Sequence, residues 1–164
     1  MIRRLLVAAL VALPLPSVAA EEPVPLATLE GTPVALARRE GEPALIVHFW
    51  ATWCPSCVEE LPFLAEAAKA CAASGVRIVA VDVGERPDAI AAFLRTHGIE
   101  MPVLVDPHGR SWRRLSGIGL PTNVTWSADG RSTEVGPRDR AAWARALESL
   151  GCRARETGTA PPAR

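Results

Sequence analysis

The sequence predicts an α/β fold with a mixed central β-sheet flanked by helices, and three observations carry that expectation. Residues 44–50, ALIVHFW, form an unbroken apolar run of strand length, as a central strand covered on both faces requires. A second run, VRIVAVDV over 76–83, follows a stretch of helical periodicity, so strand, helix and strand alternate in the order of a crossover unit. Residues 122–126 and 132–135 flank Ser127-Ala128-Asp129-Gly130, a hairpin signal. Such a hairpin runs antiparallel on a sheet begun by parallel crossovers, which makes the sheet mixed.

The remaining elements follow along the chain. Residues 26–29 and 33–36, separated by Glu30-Gly31-Thr32, suit a short hairpin leading into the domain. From Cys57, apolar residues recur at Leu61, Leu64, Ala68 and Cys71, which is helical spacing, and Ala73-Ser74-Gly75 ends that helix. Residues 87–97 place Ile90, Phe93 and Leu94 on one face and stop at Gly98, a second helix. Residues 102–105 are a short extended piece before the turn Asp106-Pro107-His108-Gly109. Asp139 caps a last helix carrying Trp143, Leu147 and Leu150. Residues 151–164, with adjacent prolines and little apolar content, read as a tail disordered beyond Cys152.

Composition narrows the function classes. With 164 residues and 49% of them hydrophobic, the chain has room for one packed domain, expected over 21–150. Eighteen basic and 18 acidic side chains leave no basic stripe to neutralise phosphates, which argues against nucleic acid as a partner. Trp112, Trp126 and Trp143 are accordingly read as core or groove residues rather than base-stacking ones.

Residues 1–20 read as an address. A cationic start at Arg3-Arg4 precedes an apolar run from Leu5 to Leu13, which Pro14 breaks before the small residues Val18-Ala19-Ala20. Nine apolar residues span about 14 Å as a helix, short of the roughly 30 Å hydrocarbon core, so a signal peptide cleaved after Ala20 is preferred to a membrane anchor. The protein is therefore expected to be periplasmic or secreted, or membrane-anchored if the signal is kept. Disulfides persist in such a compartment.

The chemistry concentrates at Trp53-Cys54-Pro55-Ser56-Cys57. A Cys-x-x-Cys opening a helix directly after a buried strand puts the first sulfur at the helix N-terminus. There, unpaired N–H groups and the helix dipole stabilise a thiolate. Cys54 is thus the expected nucleophile, Pro55 suits the first helical position, and Cys57, one turn in, is placed to resolve a mixed disulfide. Half of a zinc site is the competing reading, but it needs a second Cys or His pair. Cys71 and Cys152 are single, and His48, His97 and His108 are scattered. The residue next after Cys57 is Val58 and not histidine, which excludes haem attachment.

The segment from Phe49 to Cys57, FWATWCPSC, followed by Glu60-Leu61-Pro62, resembles the extracytoplasmic thioredoxin-like proteins of the TlpA/ResA type. Leu120-Pro121-Thr122 is similar to the cis-proline loop of that fold, and Asp129-Gly130 to its last hairpin turn. The resemblance runs from about Leu26 to Leu150. It implies a thioredoxin fold with an added N-terminal hairpin and a protein thiol-disulfide oxidoreductase working without cofactor or metal. It also implies a tendency toward reducing partners such as apocytochromes c. Pro62 matches the kinking proline of the active-site helix.

Site roles follow from the same resemblance. Pro121 becomes a cis-proline, with Leu120, Pro121 and Thr122, together with Trp53 and Pro55, forming the substrate-binding edge; an extended partner segment would pair with the backbone around Leu120. Glu60 is either an acid/base for the thiols or a first-turn carboxylate favoured by the dipole. His48 stands six residues before Cys54, where thioredoxins carry a buried aspartate, and is either a proton shuttle or a core histidine. Glu85 is read as a solvated loop residue, and the sequon at Asn123 is discounted because it falls in a strand. Cys71 lies 14 residues beyond Cys57, about 21 Å along a helix, and cannot reach the active-site pair. In the implied fold the far ends of the first and last long helices meet, which places a structural disulfide between Cys71 and Cys152. The alternative is a buried Cys71 and a free Cys152.

The expected partners are protein thiols or disulfides and a membrane electron donor, with the chain itself monomeric. A copper-binding chaperone on the same fold is the second hypothesis, with His108 as the third ligand beside the two thiolates. A peroxidase is a more distant third, because a paired motif serves exchange rather than a lone peroxidatic cysteine.

Overall fold

In a computed structural model of the chain, residues 23–152 are described. The expected signal segment, residues 1–20, and the tail beyond Cys152 lie outside them. Strands β1 (Val24–Ala27) and β2 (Pro33–Leu36) form the N-terminal hairpin, and β3 (Ala44–Trp50) leads into α1 (Pro55–Cys71). Then come β4 (Arg77–Val83), α2 (Pro87–His97), β5 (Val103–Asp106) and α3 (Arg110–Arg114). The hairpin β6 (Thr122–Ser127) and β7 (Gly130–Val135) and the helix α4 (Arg140–Ser149) complete the domain. The seven strands form one sheet in the order β2-β1-β5-β4-β3-β6-β7. Strands β3, β4 and β5 run parallel, while β6 lies antiparallel to β3 and β1 antiparallel to β5. This is the mixed sheet of the thioredoxin-like fold.

Strand alternation assigns β3 to two different cores. Leu45, Val47 and Phe49 face the side covered by Trp112 and Leu115 of the α3 region. Ala44, Ile46 and Trp50 face α1, α2 and α4, where Leu61, Leu64, Ile90, Trp143 and Leu147 pack. His48 shares that second face, wholly buried. All seven residues of the strand are buried, which explains its unbroken apolar sequence.

Local chemistry sets the helix ends. Cys54 is the N-cap of α1 in extended conformation and Pro55 opens the helix, so α1 starts two residues before the periodicity indicated. Pro62 lies inside α1 and has no N–H to bond the Val58 carbonyl. Gly98 ends α2 in the left-handed conformation, its N–H reaching the carbonyls of Leu94 and Arg95. The Asp139 carboxylate accepts the Ala142 N–H at 2.6 Å and caps α4. Three expectations are corrected. β1 occupies 24–27 rather than 26–29, because its pairing with β2 aligns Val24 with Leu36. β7 begins at Gly130, two residues earlier than expected. The helix α3 was absent from the sequence reading, since five residues are too few to show a period; the Asp106 carboxylate nucleates it by accepting the N–H groups of Arg110 and Trp112.

The far ends of α1 and α4 lie together, and a disulfide joins Cys71 to Cys152 with Cα atoms 5.3 Å apart. Both residues are buried with Trp143, Leu147 and Ile78. The bridge closes a sequence separation of 81 residues, worth about 4 kcal/mol in a chain-entropy account. Replacing both cysteines by alanine is expected to cost about that much in urea unfolding and about 10 °C in Tm. A loss under 1 kcal/mol would assign the pair a packing role alone.

Candidate active site

The strand β3 delivers its C-terminal end to the loop 51–54, and α1 begins there at once. The Cys54 N–H bonds the Ala51 carbonyl at 3.1 Å, which turns the chain, and the Val58 N–H bonds the Cys54 carbonyl at 3.1 Å, which starts the helix. Cys54 and Cys57 are joined as a disulfide, their Cα atoms 5.3 Å apart. The Cys57 N–H points to Cys54 Sγ at 3.3 Å, so the first sulfur already occupies the place of a helix-capping acceptor. A thiolate there would receive the same N–H and the positive end of the helix. Cys54 keeps 5% exposure and Cys57 none, while Trp53 beside them is 66% exposed.

The loop before β6 supplies the opposite wall. The Leu120–Pro121 peptide bond is cis. Thr122 pairs with Phe49 in the β6–β3 register, so Pro121 is set beside the end of β3 and the active-site loop. The Thr122 hydroxyl donates to the Gly119 carbonyl at 2.5 Å and accepts from Trp112 Nε1 at 3.0 Å. Gly117 sits so close to the Trp112 ring that a Cβ would fall 2.0 Å from Nε1, so only glycine fits there. Ile118, in the same loop, is 87% exposed.

Beneath α1 lies a buried polar chain. Both oxygens of Glu60 are engaged: Oε1 accepts the Arg138 N–H at 2.9 Å and Oε2 accepts Trp143 Nε1–H at 2.7 Å. Burial raises its carboxyl above the ordinary value, against the pull of those two donors and the Arg138 charge. Glu60 is therefore no surface carboxylate answering only the helix dipole. His48 Nδ1 stands 2.7 Å from Asn123 Oδ1 and 3.9 Å from Glu60 Oε2. Burial pushes the imidazole down to about 4, opposed by Asn123 and by the Cys57 carbonyl, and keeps it neutral at physiological pH.

A carboxylate pair tethers the active-site loop. Glu85 accepts from the Thr52 N–H and the Thr52 hydroxyl, both at 2.6 Å, two residues before Cys54. The reading of Glu85 as a solvated loop residue is thus corrected: it is half-buried and bonded, because the end of β4 returns beside the end of β3. Asp82, fully buried, accepts the Glu85 N–H at 3.1 Å. Burial, with Glu85 beside it, pushes Asp82 up to about 8. Burial acts upward on Glu85 too, but hydrogen bonds from Asp82 and Thr52 outweigh it and hold Glu85 below its ordinary value. Asp82 Oδ2 is buried without a hydrogen-bond partner, so the protonated acid is favoured there, in a sequence region where the pattern Val83-Gly84-Glu85 showed only a loop.

The structure thus brings together Trp53, Cys54, Pro55 and Cys57 on one loop and helix end, Leu120, Pro121 and Thr122 alongside, and His48 and Glu60 beneath. Cys71 and Cys152 stand at the opposite pole. His108, the candidate copper ligand, is exposed in the turn after β5, two strands away from β3. Among the described residues no three His, Cys, Asp or Glu side chains form a metal-holding group.

A disulfide at the start of the first long helix, beside a cis-proline loop and on a mixed sheet with helices on both faces, defines a thioredoxin-like protein. Residues 14–130 match the AhpC/TSA family, and the chain belongs to it. It is 31% identical over 105 residues to the thiol-disulfide oxidoreductase ResA of Bacillus subtilis (strain 168), an alignment covering 64% of this chain and 58% of ResA. It is 34% identical over 110 residues to the soluble secreted antigen MPT53 of Mycobacterium tuberculosis, covering 66% and 61%. The chain thus spans about three fifths of the length of the curated relatives it matches. Among solved structures, a thioredoxin-family thiol:disulfide interchange protein of Chlorobium tepidum TLS is 30% identical and superposes with a TM-score of 0.64, covering 82% of this chain and 99% of that one. A secreted Mycobacterium tuberculosis disulfide oxidoreductase is 25% identical with a TM-score of 0.64, covering 77% and 93%.

Proposed function

We propose that the protein is a thiol-disulfide oxidoreductase that exchanges disulfides with protein partners outside the cytoplasm. Cys54 attacks a partner disulfide and Cys57 resolves the adduct. In reduction, Cys54 thiolate bonds one partner sulfur and releases the other. Cys57 then displaces the first, leaving the partner with two thiols and this protein with the Cys54–Cys57 bond. The partner lies along Trp53, Pro55 and the Leu120-Pro121-Thr122 edge, adding its backbone to the loop as a strand. Glu60 serves as the acid/base of the thiols and His48 as the proton shuttle of the inner cysteine. The observation that carries the reading is the Cys54–Cys57 disulfide with the Cys57 N–H aimed at Cys54 Sγ.

Reduction of partners is the proposed direction, with apocytochrome c as the partner the resemblance nominates and a membrane protein as the source of electrons. The protein acts as a monomer, in the periplasm or secreted. The reduced protein mixed with a disulfide-containing protein is expected to lose two thiols as the substrate gains two, with peptide mapping placing the new bond at Cys54–Cys57. An absence of transfer, together with stoichiometric copper in protein purified under reducing conditions, would favour the chaperone reading instead.

A further inference from the structure

His48 and Asn123 face each other across β3 and β6, and the register makes them direct partners. His48 is wholly buried and Asn123 is 3% exposed, with Nδ1 and Oδ1 2.7 Å apart. His48 Nε2 is buried with no hydrogen-bond partner, and so is Asn123 Nδ2. A neutral imidazole carries one proton, and the hydrogen bond made by one nitrogen decides which nitrogen holds it.

Two arrangements satisfy the 2.7 Å distance. In one, Nδ1–H donates to Asn123 Oδ1 and Nε2 keeps a free lone pair. In the other the amide is turned over, its NH₂ donates to a bare Nδ1, and the proton sits on Nε2. Glu60 separates them. Its Oε2 lies 3.9 Å from Nδ1, so an N–H there meets a favourable oxygen while a bare lone pair would face a like one. At 3.9 Å Glu60 Oε2 is beyond hydrogen-bond reach of Nδ1, so the Nδ1 proton stays on its bond to Asn123 Oδ1 at 2.7 Å.

We infer that Asn123 is a positioning residue for the exchange reaction: its amide oxygen holds the proton of neutral His48 on Nδ1 and so leaves Nε2 unprotonated beneath α1, free to take the proton of Cys57. The inference rests on the exchange activity proposed above and adds to it the residue that prepares the base. When Cys57 resolves a mixed disulfide, its S–H proton passes to Nε2. The resulting thiolate forms the bond to Cys54 Sγ as the bond from Cys54 to the partner sulfur breaks. The partner cysteine departs as a thiolate, the pair of cysteines is oxidised by two electrons, and the imidazolium later loses its proton to solvent.

The groups around the imidazole are few. Glu60 and Cys57 face it from α1, Asn123 from β6, Trp143 from α4 with its ring centre 6.4 Å away, and Ala80 from β4, with the carboxyl of Asp82 two residues further along that strand. Of these only Glu60, Cys57 and Asp82 titrate. Without the Asn123 oxygen at 2.7 Å, Nδ1–H keeps only the weaker pull of Glu60 Oε2 at 3.9 Å, so the hold on that tautomer loosens and the Nε2–H form gains population.

The test uses the three-histidine protein labelled with ¹⁵N-histidine, His48 being assigned by difference against His48→Ala. At neutral pH the wild type is expected to show Nδ1 protonated and Nε2 bare, and a protonated Nε2 would overturn the inference whether or not any Asn123 variant folds. In parallel, the reduced protein reacts with an aromatic disulfide whose thiol is coloured. The first thiol released reports attack by Cys54 and the second reports resolution by Cys57. Asn123→Leu is expected to leave the first release unchanged and to slow the second about tenfold at pH 7. Equal slowing of both steps, or of neither, would overturn the inference. A wild type that never releases the second thiol would instead overturn the exchange reading itself.

Discussion

Cys57→Ser is expected to stop exchange after its first half and to accumulate as covalent adducts with partner proteins through Cys54, with turnover lower by about a thousandfold or more. Cys54→Ser should lose turnover to the same extent and form no adducts. The difference follows from where each sulfur lies. Cys54 Sγ is at the N-cap of α1, receives the Cys57 N–H at 3.3 Å and retains 5% exposure beside the projecting Trp53 ring. Cys57 has no exposure and packs with Leu61 and Trp50, so a partner sulfur cannot reach it in line. Only Cys54 combines an electrostatic reason to ionise with a path for the partner. Mass mapping of adducts trapped from a mixture with a disulfide-containing protein decides the matter, and adducts carried by Cys57 in Cys54→Ser would reverse the assignment.

What sequence reasoning recovered was local, and what it missed was spatial. The Cys-x-x-Cys after ALIVHFW is legible because strand end, cap, N1 proline and second cysteine are consecutive. The helix over 87–97 is legible because its apolar period, proline start and glycine stop agree. Glu85 was misread because its partner, Thr52, is 33 residues away and is brought near only when β4 lies beside β3. The same holds for Glu60, whose carboxylate is held by a main-chain N–H at Arg138, a donor that no sequence pattern displays. Asn123 carried a visible signal, a polar residue inside a strand, but its opposite number could be known only from the register. An asparagine facing a histidine across two buried strands is the kind of pair that a polar residue in an apolar run should prompt one to seek.

Asp82→Asn is expected to stabilise the oxidised protein at pH 8, and His48→Asn to turn a nearly flat pH dependence on the acid side into a steep fall. His48 has its folded value near 4 against an ordinary 6.5, so between those values the unfolded chain binds a proton that the folded one does not. Stability therefore rises with pH across that window, by about 3 kcal/mol in all. Asp82 has its folded value near 8 against an ordinary 3.8, so the folded state binds the extra proton and stability falls with rising pH between them. Each slope is one proton, about 1.4 kcal/mol per pH unit. From pH 4 to 6.5 the two nearly cancel, Glu60 tipping the balance toward a fall because burial raises it as well. From 6.5 to 8 Asp82 acts alone, and the wild type should lose about 2 kcal/mol. In Asp82→Asn the amide oxygen can still accept the Glu85 N–H and the side chain has no charge to bury, so the loop tether survives without the titration. That variant should gain stability from pH 4 to 6.5 and stay level to 8, whereas His48→Asn should lose it steadily from 4 to 8. Urea unfolding at pH 4.5, 6.5 and 8, with both disulfides intact so that no thiol titrates, separates the three curves. Asp82→Asn no more stable than the wild type at pH 8 would show that the buried carboxyl is ionised in the folded protein, and its upward shift would have to be abandoned.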